Sequence, residues 1–394
     1  MRYVDAGSLG EAVDRIGGEP ISARMARKAP IRHLDPTLLL VTLMLAAYGA
    51  VMVFAATVHR QEDADLDPQL FLKRQIAYII AGIIVLVVVA FFDYRHMRAF
   101  APIMYGVTLA LLILVLTPLG DASKGAQRWI SFGAFQMQPS ELAKIAVIIA
   151  VAAYLAERKG EIRALDVLVT LGLVSLPAVL IYLEPDLGTM LVFIALTGAL
   201  LLVGGAKIRH FFILGVIGLL TVGAVLQFDM LEDYQKQRLT SFLDPNPDVR
   251  SEAYNLTQSK IAIASGGLEG KGFSSDETQT ALDFVPEQHT DFIFTAVGEL
   301  LGFAGSATLL GLFAFLIWRA LRISTMSRDL FGTLIAASIA ALWAFQLFVN
   351  VGMTMGIMPI TGIPLPFISY GGSNMITNFI AVGLLLNVHM RRFL

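Results

Sequence analysis

The sequence predicts an all-α integral membrane protein with about ten transmembrane helices. Hydrophobic residues make up 56% of the chain, whereas soluble domains are about 45–50% apolar. Charged residues contribute only 15%, and the hydrophobic residues are grouped in runs long enough to cross a bilayer. The net charge of −2 does not support nucleic-acid binding. The chain has no cysteine, which excludes disulfides and thiolate metal sites.

The apolar runs divide the chain into ten candidate spans. A membrane-crossing helix needs about 20 apolar residues. Runs of this kind lie near 38–58, 76–92, 101–119, 141–157, 166–183, 187–204, 210–228, 291–318, 329–356 and 374–389. We expect residues 1–37 to form a cytoplasmic tail and residues 38–394 to form one polytopic membrane domain. A large extracytoplasmic loop, 229–290, is expected between the seventh and eighth helices.

Lys and Arg predict the orientation, because cytoplasmic loops carry an excess of them. One set of alternate loops, with the C-terminus, is consistently basic: Arg95, Arg98, Arg158, Lys159, Arg163, Lys207, Arg209, Arg319, Arg322, Arg328, Arg391 and Arg392. Both termini are therefore assigned to the cytoplasm. Segments 120–140, 184–186, 229–290 and 357–373 then lie outside, and we expect the functional site there.

The central candidate is Asp291, which stands where a polar loop meets a long apolar run. A carboxylate at this place is expected to face a cavity or a partner rather than lipid. Glu287 and His289 precede it, so the group either binds a divalent cation or forms a hydrogen-bonded helix cap. Glu299 lies about 12 Å deeper at 1.5 Å per residue, and we expect it to be paired or protonated.

The first outer segment carries Arg128 and Trp129 and leads into a helix that Ser140 is expected to cap. Glu141 and Lys144 share one face of this helix. They form either an internal ion pair or a cationic contact for an anionic headgroup. Trp129 is either an interfacial anchor or part of a substrate groove.

The turn at Glu184 and Asp186 joins two spans. Asp186 is placed to cap the second helix by accepting its free N–H groups. Glu184 has no capping role in this arrangement, so it is the better candidate for a polar contact in a cavity.

The long loop combines polar residues with a glycine-rich end. Its first part predicts a basic amphipathic helix on the membrane surface, and its second part is expected to lie in the interface or re-enter the membrane. Glycine-rich backbone can present N–H groups to phosphates, which favours an anionic, membrane-bound substrate. The candidate contacts are Arg238, Gln258, Ser259, Lys260 and Lys271. The last outer segment, with Ser369 and Tyr370, is rich in proline and glycine but apolar, as expected for backbone that lines a cavity.

Seven motifs follow one another along the chain. They are Gln-Arg-Trp-Ile at 127–130, Gln-Pro-Ser-Glu-Leu-Ala-Lys at 138–144, Glu-Pro-Asp-Leu-Gly-Thr at 184–189, Phe-Leu-Asp-Pro at 242–245, Gln-Ser-Lys-Ile-Ala-Ile-Ala-Ser-Gly-Gly-Leu at 258–268, Pro-Glu-Gln-His-Thr-Asp-Phe-Ile-Phe at 286–294 and Gly-Ile-Pro-Leu-Pro-Phe-Ile-Ser-Tyr-Gly-Gly-Ser at 362–373. In these motifs the chain resembles the SEDS family of shape, elongation, division and sporulation proteins. It is more similar to the RodA elongation branch than to the FtsW division branch. Glu184, where glutamine is commoner, and Asn374, where serine is frequent, depart from the pattern.

The resemblance implies a peptidoglycan glycosyltransferase of the bacterial inner membrane. Such proteins polymerise lipid II, a disaccharide-pentapeptide on undecaprenyl diphosphate, at the outer leaflet. The implied partners are a class B penicillin-binding protein, which cross-links the strands, and other membrane proteins of the elongation complex. The family's essential aspartate falls on Asp291, and its tryptophan falls on Trp129.

The implied reaction joins an acceptor hydroxyl to an anomeric carbon as a lipid diphosphate leaves. Asp291 is predicted as the general base and cations are predicted to stabilise the leaving group. Direct displacement inverts the anomeric centre, since no carboxylate nucleophile is needed. Mg²⁺ or Mn²⁺ could share the stabilisation of the leaving diphosphate, and no metal ligand is assigned. A lipid flippase, an FtsW-like division protein and a scaffold are the alternatives. Transport is less favoured because the inner half of the bundle offers little polarity beyond Gln346, Asn350 and Asn378.

Overall fold

In the computed structural model, residues 33–123, 126–133, 135–158, 162–227, 252–273, 278–282 and 284–392 are described. Within these ranges ten helices are long and apolar enough to cross a membrane, which confirms the predicted fold class. The spanning helices are α1 Pro36–Ala55, α3 Leu70–Phe91, α4 Tyr94–Val115, α5 Pro139–Ala156, α6 Ala164–Leu183, α7 Leu187–Gly204, α8 Ile208–Gln227, α10 Ile293–Thr325, α11 Leu330–Thr354 and α12 Gly372–Met390. A short helix, α2 Val58–Asp63, follows α1, and α9 Glu252–Ser265 lies in the long loop.

The segment before α5 has regular secondary structure, which was not predicted from the sequence. It forms a three-stranded antiparallel sheet of β1 Asp121–Ser123, β2 Ala126–Phe132 and β3 Phe135–Met137. Asp121 lies opposite Trp129, and Ile130 lies opposite Met137. The sheet places Arg128 and Trp129 on its central strand.

Helix α12 lies at the centre of the bundle. In its apolar stretch, 89% of the residues are buried inside the protein. It packs against α3 through two glycines. A Cβ atom on Gly82 would come within 2.2 Å of the Phe379 ring, and one on Gly383 would come within 2.9 Å of the Leu86 carbonyl. Small residues permit this close approach, which replaces the hydrophobic driving force that is missing in lipid.

Helix α10 is broken at Gly302, whose backbone (φ 60°, ψ −157°) is not helical. The break frees the carbonyls of residues 299 and 300 and the amides of 303 and 304. All four are satisfied by the glycine-rich turn 266–272. The amides of Lys271 and Gly272 donate to the two carbonyls at 3.0 Å, and the two amides donate to Gly267 and Leu268 at 2.9 and 3.1 Å.

The glycines of this turn, which were expected to present N–H groups to phosphates, have a packing role. A Cβ atom on Gly266 would meet the Gly298 carbonyl at 2.0 Å, and one on Gly270 would meet the Leu300 carbonyl at 2.3 Å. The glycines therefore let the turn dock on the break in α10. A phosphate cradle at this turn stays a prediction.

We expect Gly302→Ala to destabilise the protein by about 2 kcal/mol or more. The backbone angles at residue 302 lie in a region that only glycine adopts freely, and the new Cβ would come within 2.4 Å of the Gly270 amide. Gly311→Ala in the same helix is the matched control, because a Cβ there meets nothing within 4 Å. Thermal unfolding in detergent measures both variants, and equal melting temperatures would contradict this account.

Candidate functional site

The segment that carries Asp291 is held from behind by α11. Asn350 donates one N–H to the carbonyl of Asp291 and the other to the carbonyl of Ile363, both at 2.8 Å. Ser369 donates its hydroxyl to the carbonyl of Thr290 at 2.6 Å and accepts the Leu365 amide at 2.8 Å. The segments 287–291 and 357–371 are thus joined by buried side chains.

An aromatic cluster covers the same joint. The ring of His289 lies 5.1 Å from that of Phe71 and 5.7 Å from that of Tyr370. The Tyr370 amide donates to the His289 carbonyl at 2.9 Å. The structure therefore brings together four of the predicted site residues: His289, Asp291, Ser369 and Tyr370. Ser369 is fully buried, so its place in the site is that of a backbone anchor.

Glu287 begins this segment in a left-handed conformation (φ 55°). Its carbonyl accepts the Thr290 hydroxyl at 3.0 Å and its carboxylate accepts the same hydroxyl at 3.3 Å. These bonds close a turn at Glu287 and Thr290. The expected helix cap was wrong, because the N-cap of α10 is Phe292. Across the described residues no group of three or more His, Asp or Glu side chains is placed to hold a metal ion.

Four helices begin around the segment 357–371. Helix α10 starts just after Asp291, and α12 starts just after Gly371. The Gln138 amide, at the start of α5, donates to the Ser373 hydroxyl at 2.9 Å. A Cβ on Gly188, in the first turn of α7, would lie 2.4 Å from the Thr361 carbonyl. Because helix N-termini carry partial positive charge, their convergence favours negative charge at this end of the bundle. At α7 the carboxylate of Asp186 already supplies it.

Arg128 and Glu184 form one side of this region. Arg128 donates through Nε to the Glu184 carbonyl at 2.9 Å and through Nη2 to the Pro185 carbonyl. The Glu184 side chain is fully buried, and both its carboxylate oxygens lack hydrogen-bond partners among the described residues. Burial first, and then the charge of Asp186, raise the pKa of Glu184 to about 8, against the opposing effect of Arg128. The burial of Glu184 therefore favours its protonated form near neutral pH.

The start of α5 contains a buried ion pair. Lys144 Nζ lies 2.7 Å from Glu141 Oε1, and both side chains are almost fully buried. This is the internal pair of the first alternative, and the contact with an anionic headgroup stays a prediction. The expected cap was wrong: the helix begins at Pro139 with Gln138 as N-cap, and among the described residues the Ser140 hydroxyl has no partner. A proline at the first helical position has already set the start.

Asp186 caps α7 as predicted. One carboxylate oxygen accepts the Thr189 amide at 3.0 Å and the other accepts the Thr189 hydroxyl at 2.8 Å. Trp129 is half-buried on β2, and both of its expected roles stay predictions.

The candidates in the long loop have different surroundings. Ser259 is buried and ties α9 to α10 and α11, through the Thr295 hydroxyl and the Thr354 carbonyl. Gln258 is half-buried on the same helix, and Lys260 is exposed beside Gly356. Lys271 lies 2.9 Å from the fully buried Glu299 carboxylate, so Glu299 is paired, as predicted. Arg238 and the expected surface helix lie outside the described residues.

Sequence reasoning missed three members of the site: Phe71, Gln288 and Asn350. Asn350 carried a signal, because an amide inside an apolar span must find polar partners. It was expected in the half of the bundle opposite the site, but it lies near the end of α11 and contacts Asp291. Gln288 lies inside the motif at 286–294, but no role was predicted for it. Phe71 is one aromatic among many and offered no signal.

We expect Glu184 to make stability depend on pH. Because its folded pKa of about 8 lies above the ordinary value of 4.5, folding takes up a proton between these values. The free energy of unfolding therefore falls as pH rises through this window, by about 2 kcal/mol between pH 6 and pH 8. Glu184→Gln should lack this decline. Unfolding of both proteins in detergent at the two pH values measures it, and parallel losses would contradict the assignment.

Known proteins are similar to this chain over nearly its whole length. The family model for FtsW, RodA and SpoVE, described as cell cycle protein, matches residues 36–393. The chain is 38% identical to the peptidoglycan glycosyltransferase MrdB of Escherichia coli K12 over 363 residues, covering 91% of this chain and 94% of that protein. It is 37% identical to stage V sporulation protein E of Bacillus subtilis over 358 residues, covering 90% and 96%.

Two solved structures align with this chain over more than nine-tenths of its length. A chain from a study of the structural coordination of polymerization and crosslinking by a peptidoglycan synthase complex aligns with a TM-score of 0.77 and 31% identity, covering 91% of this chain and 98% of that one. The rod shape determining protein RodA of Thermus thermophilus aligns with a TM-score of 0.68 and 28% identity, covering 92% and 98%. With a family match over nearly the whole membrane domain, this chain belongs to the SEDS family.

Proposed function

We propose that this protein is a peptidoglycan glycosyltransferase that polymerises lipid II during cell elongation. The relatives named as peptidoglycan glycosyltransferases support the activity. The observation that carries the proposal is the position of Asp291. Its carboxylate belongs to a segment fixed by Asn350 and Ser369, at the end of the bundle where four helix N-termini favour negative charge.

In this mechanism Asp291 is the general base. A sugar hydroxyl of one substrate molecule loses its proton to the Asp291 carboxylate as its oxygen attacks the anomeric carbon of the other. The bond from that carbon to the undecaprenyl diphosphate breaks, and the diphosphate leaves with the electron pair. A single displacement from the opposite face inverts the anomeric centre, and no covalent enzyme intermediate forms.

The leaving diphosphate needs positive charge, which several groups can provide. Several cations were predicted to contact the diphosphate. Among those in the described part of the chain, Lys260 is exposed and has no ion pair. Lys144, Arg128 and Lys271 are engaged with protein partners, so each would have to exchange one to bind a diphosphate. The helix N-termini supply fixed partial charges without such an exchange. Trp129, Gln258 and Tyr370 are proposed contacts for the sugars and the lipid.

We place the site at the outer leaflet of the inner membrane, with both termini in the cytoplasm. The Lys and Arg distribution supports this orientation, since the opposite end of the bundle carries the basic loops. A class B penicillin-binding protein is the proposed partner, and the structural match to a chain studied as part of a peptidoglycan synthase complex supports it. Other membrane proteins of the elongation complex are further proposed partners.

We expect Asp291→Asn to abolish glycan polymerisation while the protein stays folded. The amide keeps the shape of the side chain but accepts no proton from the attacking hydroxyl. Purified protein, alone and with a penicillin-binding protein whose own chemistry is blocked, is supplied with lipid II, and polymer is resolved on gels. Asp65→Asn is the matched control: Asp65 is exposed in a loop with a left-handed backbone (φ 55°), which asparagine tolerates. Polymer from Asp291→Asn at the wild-type rate would remove Asp291 from the mechanism.

A further inference from the structure

Glu299 on α10 binds two parts of the long loop, Lys271 and the stretch that contains Gln279 and Thr280. Its buried carboxylate accepts four hydrogen bonds: from Lys271 Nζ at 2.9 Å, the Gln279 amide at 2.7 Å, and the Thr280 amide and hydroxyl at 2.9 and 2.7 Å. Releasing these donors would leave a charge uncompensated inside the protein, which is costly. The carboxylate therefore fixes the stretch 278–282 on α10.

The hydrogen bonds continue from Thr280 to the Asp291 segment. A hydroxyl has one proton to donate, and that of Thr280 is directed to Glu299. Its lone pairs are then free to accept, and Gln288 Nε2 lies 2.9 Å away. Gln288 is itself buried and stands three residues before Asp291. The directions of the bonds are mutually consistent, so Glu299, Thr280 and Gln288 form one relay.

We propose that Glu299 is a positioning residue for the reaction. Through Thr280 and Gln288 its carboxylate holds the segment that presents Asp291, and this inference rests on the proposed function. Asn350 and Ser369 hold the carbonyls of residues 290 and 291. The relay holds the other end of the segment through a side chain. Together the two anchors restrict both the position and the tilt of the Asp291 backbone.

The relay makes a kinetic prediction. Glu299→Gln and Thr280→Val should lower kcat by about tenfold to a hundredfold with little change in the KM for lipid II, since displacement of a reacting group by about 1 Å has an effect of this size. Thr280→Ser should restore the rate because it keeps the hydroxyl. Thr308→Val is the control, because that threonine is exposed on α10 and bonds only within its own helix turn. A wild-type kcat in Glu299→Gln, or no rescue by Thr280→Ser, would overturn the inference.

A second measurement is independent of activity. The chain contains no cysteine, so spin labels can be attached at Leu66→Cys and Leu282→Cys, whose native side chains are 55% and 51% exposed. The distance distribution between them, measured by pulsed EPR on the full-length protein, should broaden in Glu299→Gln and Thr280→Val but not in Thr280→Ser. An unchanged distribution overturns the inference even if the protein polymerises lipid II. A broadened one supports the anchor even if it does not.

Discussion

The site depends on the side-chain amide of Asn350. Its two N–H groups bind carbonyls from two segments that are more than 70 residues apart along the chain, one ending in Asp291 and the other containing Ile363. Neither segment is regular helix there, and the Asn350 side chain is fully buried. An unpaired carbonyl at such a place costs several kcal/mol. The amide therefore determines where the Asp291 backbone lies, and the catalytic proposal depends on that position.

The same physical requirement explains other departures from helix. At Gly302 the four backbone groups freed by the break bond to the glycine-rich turn. At Glu299 a buried charge is surrounded by donors from the long loop. Each interruption of an apolar span is thus a docking point for an outer segment. The irregular backbone needed to surround a substrate is in this way attached firmly to rigid helices.

Much of this arrangement is predictable from the sequence, for physical reasons. The length of an apolar run predicts a span, and all ten predicted spans match helices, with ends that differ by up to seven residues. Asp186 was identified as a cap because capping is local in sequence. The sheet at 121–137 was missed because its short strands lack a clear alternating pattern. The partners of Lys271 and Asn350 lie far away in sequence, and pairing across such distances is specified by packing. The glycines at 266 and 270 are needed for close backbone contact with α10, a packing role that depends on residues distant in sequence, and their role toward a phosphate stays a prediction.

The most direct test of the account is polymerisation of lipid II by Asn350→Leu. Leucine keeps the branched shape of the side chain but leaves the carbonyls of Asp291 and Ile363 without these donors. Phe348→Leu is the control, since Phe348 is 58% exposed on the same helix and should keep the wild-type rate. We expect Asn350→Leu to fold yet lose polymerisation by about a hundredfold. A folded Asn350→Leu protein that polymerises at the wild-type rate would contradict the claim that this amide organises the site.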